Sequence, residues 1–363
     1  MSSSTTSTTA TTIEISFPSQ DKSFNLYGDL TLPSTASEKT PVPALLIVSG
    51  SGPIDRHGNV SGFFTGITFN THNQFAQQLL LFFEQNNSNN NSKRSVAVLA
   101  YDKRGVGKSQ KEQDKDLYYQ AGVQDLVSDA VQAVKYLVHH PSIDEGSIFV
   151  VGHSEGAILM PLIFQQVQQQ HEELPSPLKG CIFLAGLGED VVSAMDCQRQ
   201  RLLEEVNAET GWKGWILRQV LTKQRLDKQY QNMYDEVDKH PDLDVISQYC
   251  GMSKIPAKWF REHQQYQTPP WDAITCHCLA ITGCKDLQVR SKFCQLEASR
   301  SLLSGAASVE SHTPLNLTHI LRSFEGEPKL LALKSDYARM GTLPLDDELV
   351  NIIGMWCDRI LAC

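Results

Sequence analysis

The chain has no run of eighteen uninterrupted apolar residues, the length a transmembrane helix needs. It is also short of positive charge. Lys and Arg number 32 against 41 Asp and Glu, for a formal net charge of -9. That deficit argues against nucleic acid or an anionic membrane as the main partner, since both call for a basic face. The opening "MSSSTTSTTATT" has neither the apolar core of a secretory signal nor the arginines of a transit peptide. Residues 1–12 are therefore expected to form a disordered tail. No internal repeat is visible. The nine cysteines are odd in number and scattered from Cys181 to Cys363. Free thiols in a reducing compartment fit that pattern better than a disulfide framework, and the expected location is cytoplasmic. Asn316 opens a glycosylation sequon, "NLT", close to His319, but secretion and a glycan there are not expected.

What is present is a soluble composition, 41% hydrophobic and 20% charged, over 363 residues. Short apolar runs recur: "PALLIVSG" (Pro43 to Gly50), "SVAVLAYD" (Ser95 to Asp102), "SIFVVGH" (Ser147 to His153), "GCIFLAG" (Gly180 to Gly186) and "CLAITG" (Cys278 to Gly283). They do not alternate polar with apolar, so they read as strands buried on both faces of a parallel sheet. An amphipathic helix through Val123, Leu126, Val127, Ala130, Val131, Val134, Leu137 and Val138 precedes the third run from the end. Strand and helix thus alternate as in a doubly wound α/β fold. With an antiparallel pair in "IEISFP" and "FNLYGDLTLP" and a last strand near Ala307 to Ser311, about eight strands are expected. "EQNNSNNNSKR" (Glu84 to Arg94) reads as an Asn-rich surface loop. Residues 189–271 show helical periodicity and no strand signal, which predicts a helical cap inserted into a core of residues 13–188 and 272–363.

Within "FVVGHSEGAILM", Ser154 lies between Gly152 and Gly156 where a strand meets a helix. A sharp strand-to-helix turn strains its central residue, and flanking glycines let strand and helix approach. It lifts the hydroxyl above the sheet at a helix N-terminus, where the amide of Glu155 can face an oxyanion. Serine alone is a poor nucleophile and needs a base and an orienting acid. The base is expected late in the chain, as His319 in preference to His312. His153 is placed on the wrong side of the turn, and His57, His139, His140, His171, His240 and His263 read as solvated. The acid is expected at Asp286, after "CLAITG", with Glu189 or Asp190 as the alternatives. A second oxyanion donor is expected in "IVSGSGPIDRHGN", at the amide of Ser51, where Gly50 and Gly52 allow close approach.

Other patterns carry less. "DKRGVGKSQ" ends like a phosphate-binding loop but has Asp102 where that loop requires glycine, so Arg104 is read as part of a structural ion pair. Cys276, His277, Cys278, Cys284 and Cys294 lack the spacing of a zinc site, and no metal is expected. Trp212, Trp215, Trp259 and Trp271, with Tyr230, Tyr234, Tyr249 and Tyr266, are read chiefly as the cap's own core, and secondarily as the lining of an acyl or aromatic pocket.

The segments "SGSGPIDRHGN", "YDKRGVGKS", "GHSEG", "ITGCKDLQV" and "LTHILR" together resemble the α/β-hydrolases. The first and fourth are similar to a serine aminopeptidase-like, prolyl-oligopeptidase-related branch of esterases. "SDYARMGTLPLDDELVNIIGMWCDRIL" resembles that family's terminal helix. The resemblance implies a Ser154, Asp286, His319 triad, an oxyanion hole from Ser51 and Glu155, and ester or amide hydrolysis without a cofactor. Two departures stand out. Leu317 and Thr318 precede the histidine where the family often has asparagine or glycine, and Pro161 lies early in the helix after Ser154. Two classes of function follow: a serine hydrolase acting on a small ester or short peptide, or a silent hydrolase fold used for binding. The sequence leaves the oligomeric state open.

Overall fold

The computed structural model describes residues 10–60, 66–90, 94–111, 113–170, 172–174, 178–248 and 253–362. The chain opens with β1 (Thr11–Pro18), β2 (Asn25–Leu32) and β3 (Val42–Val48), then α1 (Thr71–Asn90), β4 (Ala97–Tyr101), α2 (Val123–Val138), β5 (Ile143–His153), α3 (Glu155–Gln169) and β6 (Gly180–Leu184). An insertion follows: α4 (Val191–Ala208), α5 (Gly211–Val220), α6 (Lys223–Lys239), β7 (Val245–Gln248), β8 (Ser253–Pro256) and α7 (Ala257–Gln265). The chain then returns through β9 (His277–Ile281), α8 (Leu296–Leu302), β10 (Ser308–His312), α9 (Leu333–Met340) and α10 (Asp347–Ile360).

Eight strands form one sheet in the order β1-β2-β4-β3-β5-β6-β9-β10. β1, β2 and β4 pair antiparallel, and the remaining neighbours are parallel. The absence of polar alternation in the central strands has a direct cause. Successive residues point to opposite faces, and each face is covered by helices. Ala44, Leu46 and Val48 of β3 join a core with α2 and α3, while Leu45 and Ile47 join another with α1 and α10. The same division holds along β4, β5, β6 and β9.

Three expectations need correction. β1 begins at Thr11, inside the expected tail, because Thr11 and Thr12 pair with Leu32 and Thr31. The Asn-rich stretch is helical as far as Asn90. Phe75, Leu79 and Phe83 anchor α1 in the core, and the weak helix preference of asparagine costs only a few tenths of a kcal/mol per residue, too little to stop the helix there. The insertion contains strands as well as helices: β7 and β8 form a separate antiparallel pair. Their sequences, "VISQ" and "SKIP", are too short and too polar to show a period of two.

The topology assembles the site. β3, α1 and β4 build the sheet in one direction, and α2 returns the chain to β5 on the other side of β3. The crevice above β3 and β5 is therefore the point where the strand order reverses, the usual ligand position in open α/β sheets. The loops following β3, β4, β5, β9 and β10 all leave the sheet at that edge.

Candidate active site

Ser154 sits between β5 and α3 with φ 55° and ψ -118°, a conformation that side chains other than glycine seldom adopt. Its amide donates to the carbonyl of Leu184 at 2.8 Å, which ties the turn to β6. The flanking glycines are there for space. A Cβ on Gly156 would lie 2.1 Å from the carbonyl oxygen of Val48, and one on Gly152 2.5 Å from that of Gly156. Backbone atoms cannot yield at such distances, so the turn cannot be this tight with any other residue at either position.

His319 lies in the loop after β10, 3.1 Å from Ser154 through Nε2 and Oγ. Its Nδ1 donates to Asp286 Oδ2 at 2.8 Å. Asp286 is buried, and its other oxygen accepts from the amides of Gln288 at 2.8 Å and Val289 at 3.0 Å. A carboxylate with both oxygens occupied holds the imidazole in one tautomer, with the Nε2 lone pair turned to the serine. The structure thus brings Ser154, His319 and Asp286 together. It does not bring His312, which bonds Glu310 at 2.8 Å. The alternative acids are also engaged elsewhere: Glu189 pairs with Arg290 at 2.7 Å, and Asp190 caps α4.

Ser51 reaches the site on the loop after β3. Gly50 packs so closely that a Cβ there would stand 3.0 Å from that of Ser154. Glu155 opens α3, where the first helical amides have no partner within the helix. Ser51, Ser154 and His319 line a cavity of about 150 Å³, with Ile54, Val60, Phe69, Ile320 and Tyr337 as its apolar wall. A second cavity, of about 130 Å³, lies against Ser51 and Glu155 and is closed by Tyr118, Leu126, Pro256 and Trp259.

Several participants escape a reading of the sequence. His153 lines the first cavity and donates through Nε2 to the carbonyl of His319 at 2.9 Å, correcting its placement on the wrong side of the turn. Burial, aided by the neighbouring His319, pushes its pKa down to about 3, so it stays neutral. His72 also lines this cavity, and burial lowers its pKa to about 4. His263, read as solvated, is buried and bonds Glu155 at 3.1 Å. His171 lies outside the described residues. Arg322 is fully buried, bonding Thr71 Oγ1 at 2.9 Å and the carbonyls of Phe69 and Ile320 at 2.6 and 2.7 Å. It pins the His319 loop to the start of α1. The only hint of this in the sequence is a lone arginine within the apolar stretch "HILRSF".

Asp102 accepts from the amides of Arg56 and Lys108 at 2.7 and 2.9 Å, and Arg104 pairs with Asp129 at 2.6 Å. His277 bonds Ser308, and the thiols of Cys181 and Cys276 stand 3.5 Å apart. The tryptophans do not form a common core. Trp212 and Trp215 are 78% and 63% exposed, Trp271 packs on Phe183 under the sheet, and Trp259 closes the second cavity. Tyr249 lies outside the described residues.

Comparison with known proteins agrees with this architecture. A family model described as serine aminopeptidase, S33, matches residues 89–264. Est1E from Butyrivibrio proteoclasticus is similar in structure, with a TM-score of 0.50 and 13% identity over 96% of this chain and 99% of that one. The chain has the α/β-hydrolase fold. The chain is also similar in fold to EstE1, a thermostable carboxylesterase from a metagenomic library, with a TM-score of 0.51 and 14% identity over 96% of this chain and 88% of that one. Brefeldin A esterase, a bacterial homologue of human hormone sensitive lipase, gives a TM-score of 0.51 and 12% identity over 100% of this chain and 81% of that one. No curated protein matches the chain by sequence. The family match contains Ser154 and Glu155 and ends before Asp286 and His319. Among the described residues no helix is long and apolar enough to cross a membrane.

Proposed function

We propose that the protein is a serine hydrolase that cleaves small carboxylic esters through an acyl-enzyme, with Ser154 as nucleophile, His319 as base and Asp286 as the orienting acid. The observation that carries this reading is the unbroken relay from Ser154 to His319 to Asp286 at the mouth of one cavity. As Ser154 Oγ bonds to the ester carbon, its proton passes to His319 Nε2. The carbonyl π electrons move to oxygen, and the amides of Ser51 and Glu155 hold the resulting oxyanion. Its collapse breaks the ester C–O bond, and the imidazolium returns the proton to the departing alkoxide. Water then repeats the sequence on the acyl-enzyme and releases the acid. No cofactor enters these steps.

The family description favours a second substrate class, short peptides with a free amino terminus. Recognition of an α-ammonium group requires a carboxylate in the substrate cavity. Among the described residues lining the first cavity there is none, and Glu155 beside the second is already paired with Lys103 at 2.8 Å. That distribution of charge supports the ester. The insertion, residues 189–271, acts in this reading as a cap whose Pro256 and Trp259 bound the second cavity.

A fluorophosphonate probe tests the nucleophile: it labels the wild type and leaves Ser154→Ala unlabelled. Labelling that survives the substitution, or a wild type that never labels, rejects the proposal. A panel of chromogenic esters beside aminoacyl amides decides the class, with turnover expected on the esters.

A further inference from the structure

Lys103 is a buried lysine that the proposed reaction does not use. Its ammonium donates to the carbonyl oxygen of Gly50 at 2.5 Å and to Glu155 Oε2 at 2.8 Å. Both partners belong to the segments that carry the proposed oxyanion donors. The Gly50 carbonyl and the Ser51 N–H are the two ends of one planar peptide, so a bond that fixes the first also sets the direction of the second. A charged donor on the carbonyl also polarises that peptide and strengthens its N–H as a donor. Glu155 carries the other amide on its own backbone.

The carboxylate of Glu155 is held from both sides. Oε2 takes the lysine, while Oε1 accepts from Trp259 Nε1 at 2.5 Å and His263 Nε2 at 3.1 Å, both on α7. Burial works against its charge, but the ammonium of Lys103 and the imidazole of His263 outweigh it, and its pKa stays well below the usual carboxylate range. A buried ion pair contributes little net stability, because desolvation offsets most of the attraction. Its position is the more informative fact: Lys103, on the loop after β4, pairs with Glu155 at the start of α3 and bonds the Gly50 carbonyl on the loop after β3, so one ammonium links the segments of the two proposed donor amides.

We propose that Lys103 is a positioning residue that aligns the amide of Ser51 with that of Glu155, with the Glu155 carboxylate as its anchor. This rests on the serine hydrolase reading above. Lys103 touches no reacting atom. Its effect appears when negative charge develops on the carbonyl oxygen, and so in kcat and in the binding of tetrahedral mimics, with little change in ground-state binding.

The experiment compares wild type, Lys103→Met, Lys103→Arg and the neutral pair Lys103→Met with Glu155→Gln, which leaves no unpaired buried charge. Each is measured for kcat and KM on a p-nitrophenyl ester, for inhibition by a trifluoromethyl ketone, and for melting temperature. Removing an entire oxyanion donor costs about 10² to 10³ in kcat, and misaligning one is expected to cost about 10- to 100-fold. The neutral pair should melt near the wild type, lose kcat by that factor with KM within about threefold, and lose ketone affinity in step with kcat/KM. Partial recovery of kcat in Lys103→Arg supports the role of the charge. A folded neutral pair with kcat and ketone affinity at the wild-type level overturns the proposal and leaves the hydrolase reading intact. A loss confined to KM or to melting temperature overturns it equally. A wild type without ester turnover removes both.

Discussion

The sheet and the insertion follow different rules. In the sheet, Phe149, Val150, Ile182 and Leu279 are buried to within 1% of completely, and each strand serves two cores. In the insertion α5 turns its large side chains outward, with Trp212, Trp215, Ile216 and Val220 all exposed, and a small buried cluster there consists of Val237, Ile246 and Ala257. The first region has the packing that keeps Ser154 in a strained turn. The second is built from helices with little apolar anchorage and meets the site chiefly through Trp259 and His263 on Glu155. The difference shows that precision resides where burial over-determines the backbone.

The comparison can be pressed hardest at Asp286. If the chemistry belongs wholly to the core, Asp286→Asn should lower kcat by about 10⁴-fold, since it disturbs the tautomer of His319. An unchanged turnover on the best ester would show that the relay is not used. Next in size, Phe149→Ala should cost about 3 to 5 kcal/mol in chemical denaturation, because it opens a cavity against Trp356. A loss below about 1 kcal/mol would mean the core is less tightly packed than its burial indicates. At the junction of the two regions, His263→Phe removes one donor to Glu155 and should cost about 1 to 3 kcal/mol. No cost there would uncouple insertion from core.

Acid should expose the core in its own way. Burial holds His72 at a pKa of about 4, against 6.5 as the ordinary value. Between those values the unfolded chain binds the additional proton, so stability is complete above about pH 6.5 and declines as pH falls through the window. The decline is up to about 1.4 kcal/mol per pH unit for this one group. Melting curves of His72→Gln should therefore be flatter with pH than those of the wild type. Parallel curves would remove His72 as the cause. The smallest effect is expected at Trp212→Ala, within about 0.5 kcal/mol in the same assay. A large loss there would reveal packing that its exposure does not suggest.

Much of the architecture is legible in the residues because burial on two faces imposes continuous apolar strands, as in Leu45 to Val48 and Phe149 to Val151. Ser154 stands out because only glycine fits beside so tight a turn. The helical end of α1 and the β7–β8 pair were hidden for the opposite reason: their local composition opposes or obscures the structure, and the contacts that decide it are distant. Lys103 illustrates the limit. Three charged residues stand in a row, Asp102, Lys103 and Arg104, and only Arg104 is read from the sequence as paired, yet each is buried or partly buried and turns to a different partner.

By itself the sequence determined the alternation of strands and helices, the turn at Ser154 and the order in which Ser154, Asp286 and His319 occur, because these depend on period, glycine and chain direction. Only the tertiary structure decided that His319 and not His312 faces the serine, that His153 and Arg322 hold its loop, and that Lys103 bonds both the Gly50 carbonyl and Glu155. Those are contacts across 50 to 250 positions of chain, and closing such distances depends on how the whole sheet packs rather than on any local pattern.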